Sequence, residues 1–147
     1  MSVIAWDGQT LAADKRASLG TLICKTTKIH RVGDALCAYS GEAAGGEEVL
    51  AWFRDGAKPA DFPITQRDRE NWAGLLVIRK GQILKYEHSP NPISFEDKFF
   101  AIGSGRDFAL AAMHLGYDAR TAVEVAIALY SGCGNGVDTM QLNPYPL

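Results

Sequence analysis

A chain that doubles back within its first fourteen residues has little freedom in how it begins to fold. Met1-Ser-Val-Ile-Ala-Trp-Asp-Gly-Gln-Thr-Leu-Ala-Ala-Asp14 sets one apolar run, Val3 to Trp6, against another, Thr10 to Ala13, with Asp7-Gly8 between them. An Asp-Gly pair flanked by such runs signals a tight hairpin, so two short antiparallel strands are expected. Ser2 stands at the start of the first strand and Asp14 at the end of the second. Ser is small enough for Met1 to be removed ahead of it. Ser2 would then carry both a nucleophilic hydroxyl and a free α-amine.

The rest of the chain continues in the same manner. Leu19 to Lys25 contains the apolar run Leu22-Ile23-Cys24, and Thr26 to Val32 mixes β-branched residues with partial alternation, which predicts a strand. After a turn at Gly33-Asp34, Ala35 to Tyr39 is continuously apolar, as in a strand buried on both faces. A small-residue junction, Ser40 to Gly46, leads into a helix over about Gly45 to Arg54 with Val49, Leu50 and Phe53 on one face. Residues 56–71 read as a loop with Pro59 and Pro63 and a short helical turn near Thr65 to Asn71. Strands at Ala73–Arg79 and Gln82–Tyr86 are joined by Lys80-Gly81, and another runs from Phe99 to Ile102 into Gly103-Ser104-Gly105. Two Ala-rich helices follow: Phe108, Ala111, Ala112 and Leu115 recur on the first, which Gly116 ends. Ala122, Val125, Ala126 and Leu129 are the expected buried stripe of the second, which Asp118 caps. A glycine-rich turn, Ser131 to Gly136, precedes a last strand at Val137–Leu142 and a tail, Asn143 to Pro146. Hairpin-linked strands with grouped helices predict an α+β domain of antiparallel sheets with helices on their outer faces, spanning residues 1–147 as one unit.

Composition narrows the function classes. The net charge of -2 gives no basic footprint for nucleic acid. No apolar run approaches the roughly 18–20 residues of a membrane span, and no basic-then-apolar leader is visible, so a cytoplasmic protein is expected. Cys24, Cys37 and Cys133 are odd in number and lack CxxC spacing, which reads as reduced, buried thiols. His30, His88 and His114 show no ligand spacing, so no metal is expected. Gly103-Ser-Gly105 lacks the rest of a dinucleotide fingerprint, and no cofactor is expected. Trp6, Trp52 and Trp72 are read as core or subunit-contact residues.

Ser2, Asp14 and Lys28 form a chemically coherent set. An N-terminal Ser can use its own amine, with an ordinary pKa near 8, as the base for its hydroxyl. A neighbouring ammonium favours the neutral amine, and a carboxylate holds that ammonium in place. The attacked carbonyl also needs N–H donors for its oxyanion, which the Ser40-Gly41 junction could supply.

Four stretches together resemble the proteasome β-subunit family of N-terminal-nucleophile (Ntn) hydrolases, and also the peptidase subunit of the bacterial two-component ATP-dependent protease. They are Leu11-Ala-Ala-Asp-Lys-Arg-Ala-Ser18, Thr27-Lys-Ile-His-Arg31, Ala38-Tyr-Ser-Gly-Glu-Ala-Ala44 and Ala101-Ile-Gly-Ser-Gly105. The resemblance implies a four-layer αββα sandwich of two antiparallel sheets flanked by helices. One helical layer would be shortened, because residues 56–71 are too few for the family's long second helix. It implies Ser2 as nucleophile in place of the usual Thr, Lys28 and Asp14 as its tuning pair, Gly41 as oxyanion donor and Ser104 beside the amine. It gives Arg16 a role in holding the turn at the substrate side and Ser18 one in pairing with substrate backbone. Ala17, His30, Tyr39 and Ala43 would line the side-chain pocket. A peptide or unfolded-protein substrate, a homo-oligomeric ring and an ATPase regulator are also implied. Two departures stand out. The family's acid and following Ser at the end of the fourth helix are replaced by Ser131 and Gly134, and the first hairpin is shorter, so where Ser2 comes to rest is a question for the structure. Two alternatives share the fold: a catalytically silent ring subunit, and a non-proteolytic amide hydrolase.

Overall fold

The computed structural model describes residues 2–67 and 73–142. They divide into two compact units, one running to His30 and resuming at Asp97, the other spanning Arg31 to Glu96.

The first unit is built on β1 (Ile4–Trp6), β2 (Thr10–Asp14), β10 (Phe100–Ile102) and β11 (Val137–Gln141), an antiparallel sheet in the order β10-β1-β2-β11. Its register lines up Ala101, Ala5 and Ala12 across three strands. Against that row lie two helices, α2 (Arg106–His114) and α3 (Ala119–Leu129), which also present alanines: Ala109, Ala112, Ala122 and Ala126. Small residues on both sides let helix axes approach the sheet closely, so little volume is left between backbones. This revises the expected helix stripes. Ala112, Ala122 and Ala126 are buried as expected, but Leu115 and Leu129, 76% and 66% exposed, lie outside the contact, and Ala109 and Met113 of α2 and Ala119 and Val123 of α3 complete the buried faces. The alternate residues of β1 and β2, Ile4, Trp6 and Leu11, are fully buried on the other side.

A second element of this unit is a hairpin of β3 (Arg16–Leu19) and β4 (Leu22–Lys25), paired from Arg16↔Lys25 to Leu19↔Leu22. Gly20, at φ 63°, makes its turn. The apolar run at 22–24 conceals this hairpin in the sequence, because its tip residues Leu19, Leu22 and Ile23 are exposed and show no alternation of burial.

The second unit centres on a five-stranded sheet, β5 (Ile29–Val32), β6 (Ala35–Gly41), β7 (Ala73–Arg79), β8 (Gln82–Tyr86) and β9 (Ile93–Phe95), in that order; the chain enters the unit within β5. Ala35 to Ala38 are buried at every position, as a continuous apolar run predicts. Helix α1 (Ala43–Arg54) begins two residues earlier than expected because Glu42 caps it, its carboxylate accepting the Ala44 and Gly45 amides. Val49, Leu50, Trp52 and Phe53 pack on Ala35, Cys37, Leu75 and Val77. Trp52 meets Phe62 and Tyr86 edge-on at 4.9 and 5.1 Å, while its indole N–H donates to the Lys58 carbonyl. The loop after α1 contains 3-10 turns at Pro59–Asp61 and Ile64–Arg67. Trp72, Asn71 and the tail from Asn143 lie outside the described residues.

Candidate active site

Asp14 is the hub of the first unit's polar interior. Its side chain is 0% exposed and sits at the end of β2, where the strand leaves its pairing with β1. One carboxylate oxygen, Oδ1, accepts Lys28 Nζ at 2.7 Å and the Val3 amide at 3.1 Å. The other, Oδ2, accepts the Gly134 amide at 3.1 Å and the Arg16 amide at 3.3 Å. A buried carboxylate is tolerated only when its lone pairs are met in this way. Lys28 is itself buried, at 8% exposure.

Ser2 lies one residue before the amide that shares Oδ1 with Lys28. Its nitrogen donates to Ser104 Oγ at 3.2 Å, and its carbonyl accepts the Gly105 amide at 2.9 Å. Despite the short hairpin, Ser2 therefore comes to rest beside Ser104 and next to the Asp14–Lys28 pair. Two glycines make this approach possible. Gly103 has φ 97°, and a Cβ there would lie 2.3 Å from the Ser2 carbonyl oxygen and 2.8 Å from Ser2 Oγ. Gly105 faces Val3 and Cys133, each 3.0 Å from where its Cβ would be. The glycine-serine-glycine run thus presents one hydroxyl to the Ser2 nitrogen while letting its backbone lie against the Ser2 peptide.

The turn expected at 131–136 does more than reverse the chain. Gly134 bonds both ways across to the strand end, its amide to Asp14 and its carbonyl to the Lys15 amide at 3.0 Å. Ser131 is exposed, and it is its backbone carbonyl, not its hydroxyl, that is engaged, by Arg16 Nη1 at 2.5 Å. Arg16 Nε donates to Asn135 Oδ1 at 2.8 Å, so its guanidinium holds this turn. Residues such as Gly134 and Asn135 escape sequence reasoning because they act through backbone atoms and a local amide; the cluster of glycines around a Cys was the only visible signal. Cys133 is buried beside this group, and burial and the Asp14 charge push its thiol up to about 11.

Of the expected pocket residues in the first unit, Ala17 is half-buried on β3 opposite Cys24, Ser18 is exposed opposite Ile23, and His30 is half-buried on β5. In the second unit, Gly41 ends β6 at φ 107°, a conformation that favours glycine. Ala43 opens α1. Tyr39 lays its ring on Gly46, where a Cβ would come within 2.0 Å, and its hydroxyl donates to Glu47 Oε1 at 2.7 Å. Burial and the neighbouring glutamates raise the Tyr39 phenol well above its ordinary range. Among the described residues no helix is long and apolar enough to cross a membrane.

No family model matches the sequence. Two curated relatives are proteasome subunit beta 1 of Pyrobaculum calidifontis, 26% identical over 97% of this chain and 88% of the relative, and proteasome subunit beta 1 of Thermococcus onnurineus, 28% identical over 88% and 74%. Among solved structures, Thiobacillus denitrificans BPH in complex with epoxomicin superposes with a TM-score of 0.72 at 23% identity, covering 98% of this chain and all of that one. HslV from Trypanosoma brucei superposes at 0.70 and 23%, covering 95% and 97%. The chain is thus similar in sequence to proteasome β subunits, and it shares its α+β fold with the BPH and HslV structures.

Proposed function

We propose that the protein is a peptidase that uses Ser2, exposed by removal of Met1, as an N-terminal nucleophile. The observation that carries this reading is the seating of Ser2: its nitrogen lies on Ser104 Oγ, and the next amide shares Asp14 Oδ1 with the Lys28 ammonium. In the reaction, the Ser2 α-amine takes the Oγ proton as Oγ bonds to the peptide carbonyl carbon. The resemblance gives the oxyanion donor to the Gly41 amide. Collapse breaks the C–N bond, the proton on the amine passes to the departing amino group, and an acyl ester remains on Ser2. Water, deprotonated by the same amine, attacks the ester carbonyl, and Oγ leaves with that proton. Lys28 favours the neutral, basic form of the amine, and Asp14 fixes Lys28 while offsetting part of its charge. Ser104 orients the amine. Ala17, Ser18, His30, Tyr39 and Ala43 remain the proposed substrate contacts. Assembly as a homo-oligomeric ring and response to an ATPase regulator belong to the same proposal, supported by the likeness to proteasome subunit beta 1 and HslV.

Intact mass of protein made without a tag tests the first step; loss of one methionine is expected. Epoxomicin or a β-lactone should then add to the wild-type chain at Ser2 and not to Ser2→Ala, and fluorogenic peptides should be cleaved. Retention of Met1 with no adduct would favour a catalytically silent ring subunit. Turnover of small amides without peptides would favour a non-proteolytic amide hydrolase. Light scattering should find a large closed assembly; a monomer would refute the ring.

A further inference from the structure

The turn at 131–136, Ser-Gly-Cys-Gly-Asn-Gly, carries no acidic side chain that could pin it by a charged contact of its own. Something else must fix the loop, because its Gly134 amide is one of the donors on a fully buried carboxylate. Three contacts reach it from the strand end. Arg16 binds the Ser131 carbonyl and Asn135 Oδ1 through two different nitrogens, and the Lys15 amide binds the Gly134 carbonyl. Asn135 holds φ 63° and Gly136 φ 108°, so the turn is tight and left-handed just after Gly134. Gly134 has no positive φ to explain it; a Cβ there would stand 2.6 Å from Arg16 Nη2 and 2.8 Å from Cζ. The guanidinium lies across the space that any other side chain would fill.

We propose that Arg16 is a positioning residue that acts through Gly134: by clamping the 131–135 turn it delivers the Gly134 amide to Asp14 Oδ2 and so sets how much of the Asp14 charge is left to Lys28. The inference rests on the reading of Ser2 and Lys28 given above. A carboxylate deprived of a donor has a stronger field at its remaining partners. Lys28 is then more fully neutralised, the Ser2 amine loses part of the influence that keeps it unprotonated, and its pKa rises. The acid limb of the rate profile should move to higher pH. Arg16→Lys should not restore function, because an ammonium cannot reach a carbonyl and an amide oxygen as a two-pronged fork does.

A double-mutant cycle of Arg16→Ala and Gly134→Ala tests this, with Arg16→Lys and Asn135→Ala as milder variants. If Gly134→Ala acts by evicting the guanidinium, it should do nothing further once Arg16 is gone; the double variant should match the worse single in Tm and in kcat. Each single change should lower kcat by about tenfold, the worth of one hydrogen bond to a charged group, with KM within about twofold. The acid limb of kcat should shift upward in Arg16→Ala, Arg16→Lys and Gly134→Ala alike. Additive losses in Tm, or an unmoved acid limb in variants that remain folded, would overturn the proposal. If the wild-type protein hydrolyses no peptide, the reading of Ser2 fails, whereas the clamp is still decided by the additivity of the Tm values.

Discussion

Replacing Asp14 by asparagine would ordinarily count as a mild change, and here it should not be. All of the partners of the Asp14 carboxylate are donors: Lys28 Nζ and the Val3 amide on one oxygen, the Gly134 and Arg16 amides on the other. An amide side chain has one accepting end and one donating end. Whichever way the introduced asparagine turns, its NH2 group faces two N–H donors. Keeping the oxygen toward Lys28 and Val3 sacrifices the Gly134 and Arg16 amides. Two donors left without an acceptor in a fully buried site cost about 1–3 kcal/mol each, so about 2–6 kcal/mol in total. Loss of the counter-charge to buried Lys28 adds to this. For a chain of this size the expected fall in Tm is about 5–20 °C. Thermal scans and urea midpoints at pH 7, at one protein concentration so that assembly does not shift the result, would measure it. A loss under about 1 kcal/mol would refute the claim that these donors depend on Asp14. By the same geometry Lys28→Ala should also destabilise the fold, since it strips one partner from a buried ion pair.

Gly103→Ala should abolish adduct formation at Ser2 and lower Tm, because the new methyl meets the Ser2 carbonyl at 2.3 Å in a left-handed conformation; unchanged labelling would contradict the described approach. Gly46→Ala gains helix propensity of about 1 kcal/mol, yet should destabilise, since its Cβ falls 2.0 Å from the Tyr39 ring and forces the Tyr39–Glu47 hydrogen bond apart. A rise in Tm would show that the ring moves freely. Cys133, held up to about 11 from 9.0 by burial, keeps its proton in the folded protein at pH values where the unfolded chain loses it. The stability this supplies is full below about pH 9 and is lost as pH rises toward 11, so Cys133→Ala should flatten the alkaline decline; an identical slope would discount the thiol. Asp118→Ala removes the side-chain acceptor of the Thr121 amide at the start of α3 and should cost about 1 kcal/mol at pH 7, less once acid has protonated the wild-type carboxyl, whose pKa that hydrogen bond lowers. An equal cost at pH 7 and below pH 3 would argue against a charged cap.

What the sequence made legible follows from where side-chain chemistry repeats. Ala73–Arg79 and Gln82–Tyr86 are found at their expected bounds because Lys80-Gly81 marks the turn between a continuous apolar run and a second strand-like run. Ser2, Asp14 and Lys28 stood out as residue types with roles and Ser104 through the family resemblance, and the fold gathers all four in one unit. The short edge strand Ile93–Phe95 was missed because three residues after a proline-rich loop show no period. The helix stripes were right at Ala112, Ala122 and Ala126 and wrong at Leu115 and Leu129, which are exposed, since a large apolar residue does not by itself mark the face turned to the sheet. Gly134 was passed over as a turn residue because its contacts run through the backbone, which every sequence shares, and Asn135 because its side-chain partner, Arg16, lies far away in the sequence.

The contacts around Asp14 also fix when this site can exist during synthesis. Ser2 waits for Ser104, and Asp14 waits for Gly134, 120 positions later in the chain. The first hairpin can form as soon as it emerges, but its carboxylate has no partner on Oδ2 beyond the neighbouring Arg16 amide until α3 and the following turn have been made. Nascent chains should therefore hold an unfinished and unstable site until their last strand arrives, and such long-range closure is slow. A chain cut just before Gly134 should fail to protect its N-terminal amides from hydrogen exchange, which ties the order of the first strand to completion of the last turn.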